Sequence, residues 1–216
     1  MRYLNKIVFI NSAAIRYSEV QLDGNIHLIG TQGVGKSTIL RAILFFYNAD
    51  TQRLGIPVEK KSYQDYYFPY ADSSIIYEVA REDGWFTVLS YKTMNRICYR
   101  FIASPYRPDL FIDEEGAPYP SDRIRSVLDK NGIKYSGAIS TYEEYRNILY
   151  GNSDNKRDYS CYSLMESGSY QNIIRTIQNV LLNSRLEADY IKQTIITSLN
   201  AVSYTHLRAH ETLRHL

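Results

Sequence analysis

The part of the sequence with the clearest chemical potential is a run of glycines followed by a lysine and two hydroxyl residues. Residues 30–37 read Gly-Thr-Gln-Gly-Val-Gly-Lys-Ser, which fits the spacing G-x-x-x-x-G-K-[ST] of a phosphate-binding loop. Glycines let the main chain curl tightly, so that successive N–H groups point at a β-phosphate. Lys36 is then expected to bridge the β- and γ-phosphates, Ser37 to be a ligand for Mg²⁺, and Thr38 to reach the α-phosphate. The predicted nucleotide-binding residues are Gly30, Thr31, Gln32, Gly33, Val34, Gly35, Lys36, Ser37 and Thr38.

The segments on both sides have the patterns needed to position such a loop. Residues 25–29 form a short apolar run, which predicts a buried strand leading into the loop. Residues 37–47 have a helical pattern, and the start of a helix adds a partial positive charge where the phosphates would lie. The order of strand, glycine loop and helix therefore favours a phosphate site over a glycine-rich turn with an incidental lysine. The predicted buried face of this helix consists of Ile39, Leu40, Ile43, Leu44 and Tyr47.

A second candidate for chemistry is the apolar run that ends in Asp113 and Glu114. In a Walker B motif, Asp113 would hold Mg²⁺ through water and Glu114 would polarise the attacking water. Only three apolar residues precede Asp113, however, and Pro108 and Asp109 interrupt a strand before them. The pattern favours an exposed hairpin tip, and the Walker B interpretation stays open as the alternative.

The beginning of the chain narrows the class of protein. Residues 7–10 and 18–22 predict two strands, joined by a short polar connection, ahead of the loop. With this pair, residues 4–47 resemble the opening of SMC, RecF and RecN-type ATPases of the ABC class, although Gln32 stands where an asparagine is usual. The resemblance implies an α/β fold: a P-loop NTPase of the ABC/SMC-head type, incomplete, with an antiparallel β lobe and C-terminal helices that lead to a coiled coil. The matching residues are Gly30, Gly33, Gly35, Lys36, Ser37, Thr38, Leu40, Ala42 and Ile43.

The same resemblance implies a function, ATP binding with Mg²⁺ in a head that pairs with a second head and acts on DNA in repair, chromosome organisation or plasmid defence. Neither an LSGGQ-like signature nor a convincing Walker B is present, so hydrolysis is expected to need a further C-terminal half. Gln171 and Gln178 are candidates for sensing the γ-phosphate, but both are more typical of a helix surface. ATP rather than GTP follows only from the resemblance. The alternatives are a self-contained P-loop NTPase or kinase that uses Asp113 and Glu114, and an interaction module that binds nucleotide without hydrolysing it.

The predicted domain organisation is an ATP-binding part over residues 1–200 and a non-native tail over 202–216. The antiparallel lobe is expected at about 74–120, with a hairpin turn at Asp83 and Gly84. A helical part is expected at about 121–200. Ser121 or Asp122 is expected to cap a helix through Leu128, Thr141 to cap a second short helix, and two more helices are expected over 172–182 and 186–199. The tail holds three of the 4 histidines (His206, His210 and His215) and resembles a translated adaptor sequence.

Composition excludes several classes of protein. The 216 residues are 44% hydrophobic and 22% charged, which is enough apolar material for a core and argues against a disordered chain. No run approaches the ~18 apolar residues of a membrane helix, so no membrane partner is expected. Cys98 and Cys161 have no metal-binding or redox spacing, which predicts a reducing, cytoplasmic compartment. The formal net charge of +2 says almost nothing about partners, since nucleic-acid-binding proteins usually carry a far larger excess. The aromatic run at 62–70 is expected to pack over the sheet rather than to stack on bases.

Overall fold

The computed structural model describes residues 2–24, 26–48, 51, 54, 56, 60–94, 96–151 and 159–164. The chain divides into two units, residues 1–170 and 171–216, and all of the described residues belong to the first. The helices predicted over 172–182 and 186–199, the candidates Gln171 and Gln178, and the tail 202–216 lie outside the described residues.

The centre of the described unit is a five-stranded antiparallel sheet with the order β2-β1-β3-β4-β5. Its first two strands form the predicted N-terminal pair. A hairpin joins β3 to β4 near the predicted position, with Glu82 and Asp83 as its two turn residues and Gly84 as the first residue of β4. Gly84 takes a φ of +145° there, a conformation that favours glycine. The strands are β1 (Tyr3–Ser12), β2 (Ile15–Gln21), β3 (Ser74–Arg81), β4 (Gly84–Thr93) and β5 (Arg96–Ile102).

The expected fold class, an α/β P-loop NTPase of the ABC/SMC-head type, is wrong. Every ladder between the described strands is antiparallel, whereas that class requires parallel strands joined by helical crossovers. Residues 26–29 form no strand, and Ile29 is 90% exposed, so the helix after the loop has no parallel strand in front of it. The next strand, β3, pairs antiparallel with β1, and the hairpins at 74–102 therefore extend the same sheet as the N-terminal pair.

Helices cover both faces of this sheet. Helix α3 (Ser121–Lys130) buries Ile124 and Leu128 against the face that carries Val8, Ile76 and Ile102. Alternate strand residues point to the other face, which α1 (Lys36–Asn48) and α4 (Tyr142–Leu149) cover. The core on that side is aromatic, with ring centroids 5.0 Å apart for Phe46 and Tyr77, 5.9 Å for Phe45 and Tyr99, and 4.4 Å for Tyr99 and Tyr145.

The predicted helix starts were correct in one case and displaced in the other. Thr141 Oγ1 accepts from the Glu144 N–H over 3.2 Å, so the predicted cap begins α4. In α3 the capping position belongs to Pro120 instead of Ser121 or Asp122, and no side chain caps it.

The buried face of α1 differs from the prediction. Leu40 is 39% exposed, while the fully covered side chains include Ala42, Phe45 and Phe46. Those three positions have i, i+3 and i+4 spacing and therefore share one side of the helix. The observed buried face differs from the predicted one because the two phenylalanine rings pack among the tyrosines of the sheet. The stripe of aliphatic residues in the sequence did not indicate this packing.

Candidate functional site

The glycine loop ends where α1 begins, at Lys36. Gly33 and Gly35 have φ values of +93° and +92°, a region that costs an L-residue with a side chain about 1–2 kcal/mol. Space is not the constraint, since a Cβ added at either position would meet nothing within 4 Å. The glycines are therefore needed for the curl of the main chain, which is the property that the motif predicts.

The loop leads directly into the first helical turn. The N–H groups of Thr38 and Ile39 both donate to the Gly35 carbonyl oxygen, over 3.0 and 3.1 Å. The first N–H groups of a helix have no acceptor one turn earlier, and they give this end a partial positive charge. The loop thus ends at a positively polarised helix terminus.

A cavity of about 590 Å³ lies beside this terminus. Its volume is within the range of about 300–1,000 Å³ that is typical of small-molecule sites. It has two walls: the loop and α1 form the first wall, and residues 60–67 form most of what we call the second wall. The lining consists of Gln32, Gly33, Gly35, Lys36, Ser37, Thr38, Arg41, Ile56, Lys60, Lys61, Tyr66 and Tyr67. Of the nine predicted site residues, Gly30, Thr31 and Val34 are not part of that lining.

The lining is strongly basic. Lys36, Arg41, Lys60 and Lys61 supply four cationic side chains, and no carboxylate is among the described residues that line the cavity. Arg41 was not among the predicted site residues, although its i+3 spacing from Thr38 places both on one side of the helix. Lys60 and Lys61 were not predicted either, because no pattern in the sequence indicates that a segment more than twenty residues away returns to the loop.

Lys36 folds back over the loop that precedes it. Its Nζ donates to the carbonyl oxygens of Gly30 and Thr31, over 2.5 and 2.7 Å. An ammonium group has three protons to donate, so these two bonds leave one for a further acceptor. The Lys36 side chain is therefore held at the cavity, with its charge next to the loop.

The second wall is built on a short helix, α2 (Tyr63–Tyr67), which Ser62 caps by accepting from the Asp65 N–H over 3.1 Å. Tyr63, Tyr67 and Phe68 are buried, so this part of the aromatic run packs inward as expected. Tyr66 is 38% exposed and lines the cavity.

Tyrosine hydroxyls attach α1 to its surroundings at four carbonyl groups. Tyr67 Oη donates to Thr38 over 2.7 Å, and Tyr77 Oη donates to Ala42 over 3.1 Å. Towards the C-terminal end of the helix, Tyr145 Oη donates to Phe46 O over 2.6 Å and Tyr150 Oη donates to Tyr47 O over 2.5 Å. Burial raises the pKa of Tyr67, Tyr77 and Tyr145, which keeps these hydroxyls protonated as donors.

Asp113 and Glu114 lie at a hairpin tip and do not line the cavity. Asp113 Oδ1 accepts from the N–H groups of Glu115 and Ala117, over 3.0 and 2.7 Å, and Ile112 pairs with Pro118 across the turn. The Asp113 carboxylate thus closes a turn, and Glu114 is exposed. The Walker B interpretation receives no support from this geometry.

Within the described part of the chain, no cluster of three or more His, Cys, Asp or Glu side chains could hold a metal ion. None of the described helices has the length and hydropathy to cross a membrane.

Residues 12–207 match the family described as "Protein of unknown function (DUF3584)". The chain belongs to this family. The matched range contains the glycine loop, α1 and the second wall, so the whole cavity lining lies inside the family region. Comparisons with curated proteins and with solved structures gave no significant match.

Proposed function

We propose that the protein binds a nucleoside triphosphate, ATP, in the cavity between the glycine loop and the second wall. The observation that carries this proposal is the basic lining: a phosphate-loop motif opens into a cavity of about 590 Å³ that has four cationic side chains. A polyphosphate is the common small ligand whose negative charge is complementary to such a lining, and charge-assisted hydrogen bonds to phosphate oxygens are stronger than neutral ones.

The first wall has groups for the phosphates. Main-chain N–H groups of the loop and the start of α1 would receive phosphate oxygens, as helix N-termini receive anions generally. Lys36 would exchange its loop carbonyl acceptors for phosphate oxygens, a charge-assisted bond that is stronger than a neutral one. Arg41, Lys60 and Lys61 would balance the remaining negative charge.

Ser37 is the residue that would hold Mg²⁺. The cavity offers its hydroxyl oxygen, which is the type of ligand Mg²⁺ takes, and phosphate oxygens commonly complete the shell. When bound, the ion would reduce the repulsion between the phosphates. Because no carboxylate is among the described lining residues, we propose binding, and we assign no group that would activate water.

The resemblance of residues 4–47 supports a finer proposal. We infer that the chain is an ATP-binding protein related to the SMC, RecF and RecN-type ATPases, with a second copy and DNA as partners in the cytoplasm. This inference depends on the motif residues between Gly30 and Ile43, and the antiparallel sheet contributes nothing to it.

The test is calorimetric titration of the full 216-residue chain with ATP·Mg²⁺. We expect saturable binding, weakened about tenfold or more in Lys36→Ala because a charge-assisted bond is lost. Lys130→Ala, which removes an exposed lysine on α3, is the matched control and should bind like the wild type. Equal affinity of Lys36→Ala and wild type would contradict the proposal.

A further inference from the structure

Two consecutive tyrosines of the second wall contact the same residue of the first wall. Tyr67 Oη donates to the Thr38 carbonyl oxygen over 2.7 Å, and Tyr66 Oη lies 3.3 Å from Thr38 Oγ1. The two rings meet edge to face, with centroids 5.0 Å apart and an interplanar angle of 82°. Thr38 is thus held through its main chain by one tyrosine and through its side chain by the next.

The two tyrosines have different surroundings. Tyr67 is 1% exposed and stacks on Tyr63, with ring centroids 4.1 Å apart, so its position is fixed by packing. Tyr66 is 38% exposed, and its ring stands at the cavity. Tyr67 is therefore suited to fix the main chain, and Tyr66 to act at the surface that a ligand would contact.

The hydrogen-bonding capacity of the Thr38 hydroxyl makes the second contact informative. A hydroxyl group donates one proton and accepts two bonds. If Tyr66 donates to Thr38 Oγ1, the Thr38 proton must point to another acceptor, and Thr38 itself lines the cavity. Successive hydrogen bonds of this kind polarise and strengthen one another.

We propose that Tyr66 and Tyr67 are positioning residues of the nucleotide site. Tyr66 directs the Thr38 hydroxyl proton towards a phosphate oxygen. Tyr67 holds the main chain of the first turn of α1 in the position that contact with the phosphates requires. The proposal rests on the proposed function, because it needs a phosphate group in the cavity.

A double-mutant cycle tests the role of Tyr66, with ATP·Mg²⁺ binding to the full chain as the readout. Tyr66→Phe should weaken binding about threefold to tenfold, the value of one neutral hydrogen bond. In the Thr38→Val background, the same change should have no effect, because the hydroxyl through which Tyr66 acts is gone. A general loosening of the site would instead reduce affinity equally in both backgrounds.

Tyr67→Phe has a different expected pattern. It acts through a main-chain carbonyl, so it should weaken binding by a similar factor with or without Thr38→Val. Tyr150→Phe is the matched control, since it also removes a hydroxyl that donates to a carbonyl of α1, but at the other end of the helix. It should lower the urea midpoint as Tyr67→Phe does and leave ATP affinity unchanged.

Each failure has its own signature. Equal losses from Tyr66→Phe in the two backgrounds, or a loss of affinity in Tyr150→Phe as large as in Tyr67→Phe, would overturn the positioning role while ATP binding stands. If Lys36→Ala and the wild type give the same ATP signal, the proposed function itself fails, and this is visible before any tyrosine is changed. Tyr66 is partly exposed, so Tyr66→Phe should change stability little and can test the proposal even if Tyr67→Phe folds poorly.

Discussion

The two halves of α1 serve different purposes. The first half presents Lys36, Ser37, Thr38 and Arg41 to the cavity, and Leu40 remains 39% exposed. The second half buries Leu44, Phe45 and Phe46 beneath an aromatic core, with two tyrosine hydroxyls bound to its last turn. The second half of α1 is thus anchored and supplies stability, whereas the first half exposes cationic side chains to the cavity.

The largest loss of stability should come from removing a buried ring in the anchored second half of α1. Phe46 is 0% exposed, and Phe46→Ala should lower the free energy of unfolding by about 3–5 kcal/mol through lost burial and a cavity. Leu40→Ala, in the exposed half, is the control and should cost far less. Urea unfolding measures both, and similar losses would contradict the division of the helix.

The anchoring tyrosines predict a loss of stability in alkali. Burial raises the pKa of Tyr77 and Tyr145 well above the ordinary value of 10.0. The unfolded chain therefore releases these protons from about pH 10 upward while the folded chain keeps them, so stability is complete below pH 10 and falls above it. The slope should reach about 1.4 kcal/mol per pH unit for each such tyrosine.

Urea unfolding between pH 8 and pH 11 checks this dependence. Tyr145→Phe should flatten the fall above pH 10, because one buried phenol no longer differs between the folded and unfolded states. An unchanged slope in that variant would show that Tyr145 is not buried as described.

ATP binding at the exposed first half of α1 should depend on the conformation of the glycine loop. Gly35→Ala forces a side chain into a φ of +92° and should cost about 1–2 kcal/mol of stability or shift the loop, with ATP binding lost in either case. Gly116→Ala is the matched control, since Gly116 has a φ of +80° and equally open space, but lies at the hairpin tip of residues 112–118. Equal ATP affinity in the two variants would argue against a role for the loop.

The smallest expected effect is the loss of ATP affinity when the lysines of the second wall are replaced. Replacing both Lys60 and Lys61 by alanine should weaken ATP binding about two- to fivefold at low salt, and less at high salt, because exposed cations contribute weakly and are screened. Titrations at two ionic strengths measure this. A loss that is the same at both would show that the lysines act other than by charge.

Local features of this fold were predictable because adjacent residues determine them. The hairpin near Asp83 and Gly84 and the cap at Thr141 were both confirmed. Each depends on the conformational preferences or hydrogen bonds of a few neighbours.

The fold class was not predictable in this way, because the direction of a sheet is set by long-range pairing. The motif indicated the order of the segments along the chain but not their pairing in the sheet. β1 pairs antiparallel with β3, which lies more than sixty residues later. Ile29 looked like part of a buried strand because an apolar run does not reveal whether a pairing partner exists. The meeting of Lys60, Lys61 and Tyr66 with the loop has the same origin, since no local pattern indicates that the two segments form one cavity.

The most direct measurement of the central claim is an NMR titration of the ¹⁵N-labelled chain with ATP·Mg²⁺, following individual amide groups. We expect saturable shifts for the N–H groups of residues 33–38, with the end of α3 near Lys130 unchanged. Shifts that spare residues 33–38, or no saturable shift at all, would contradict the claim that this loop binds the phosphates.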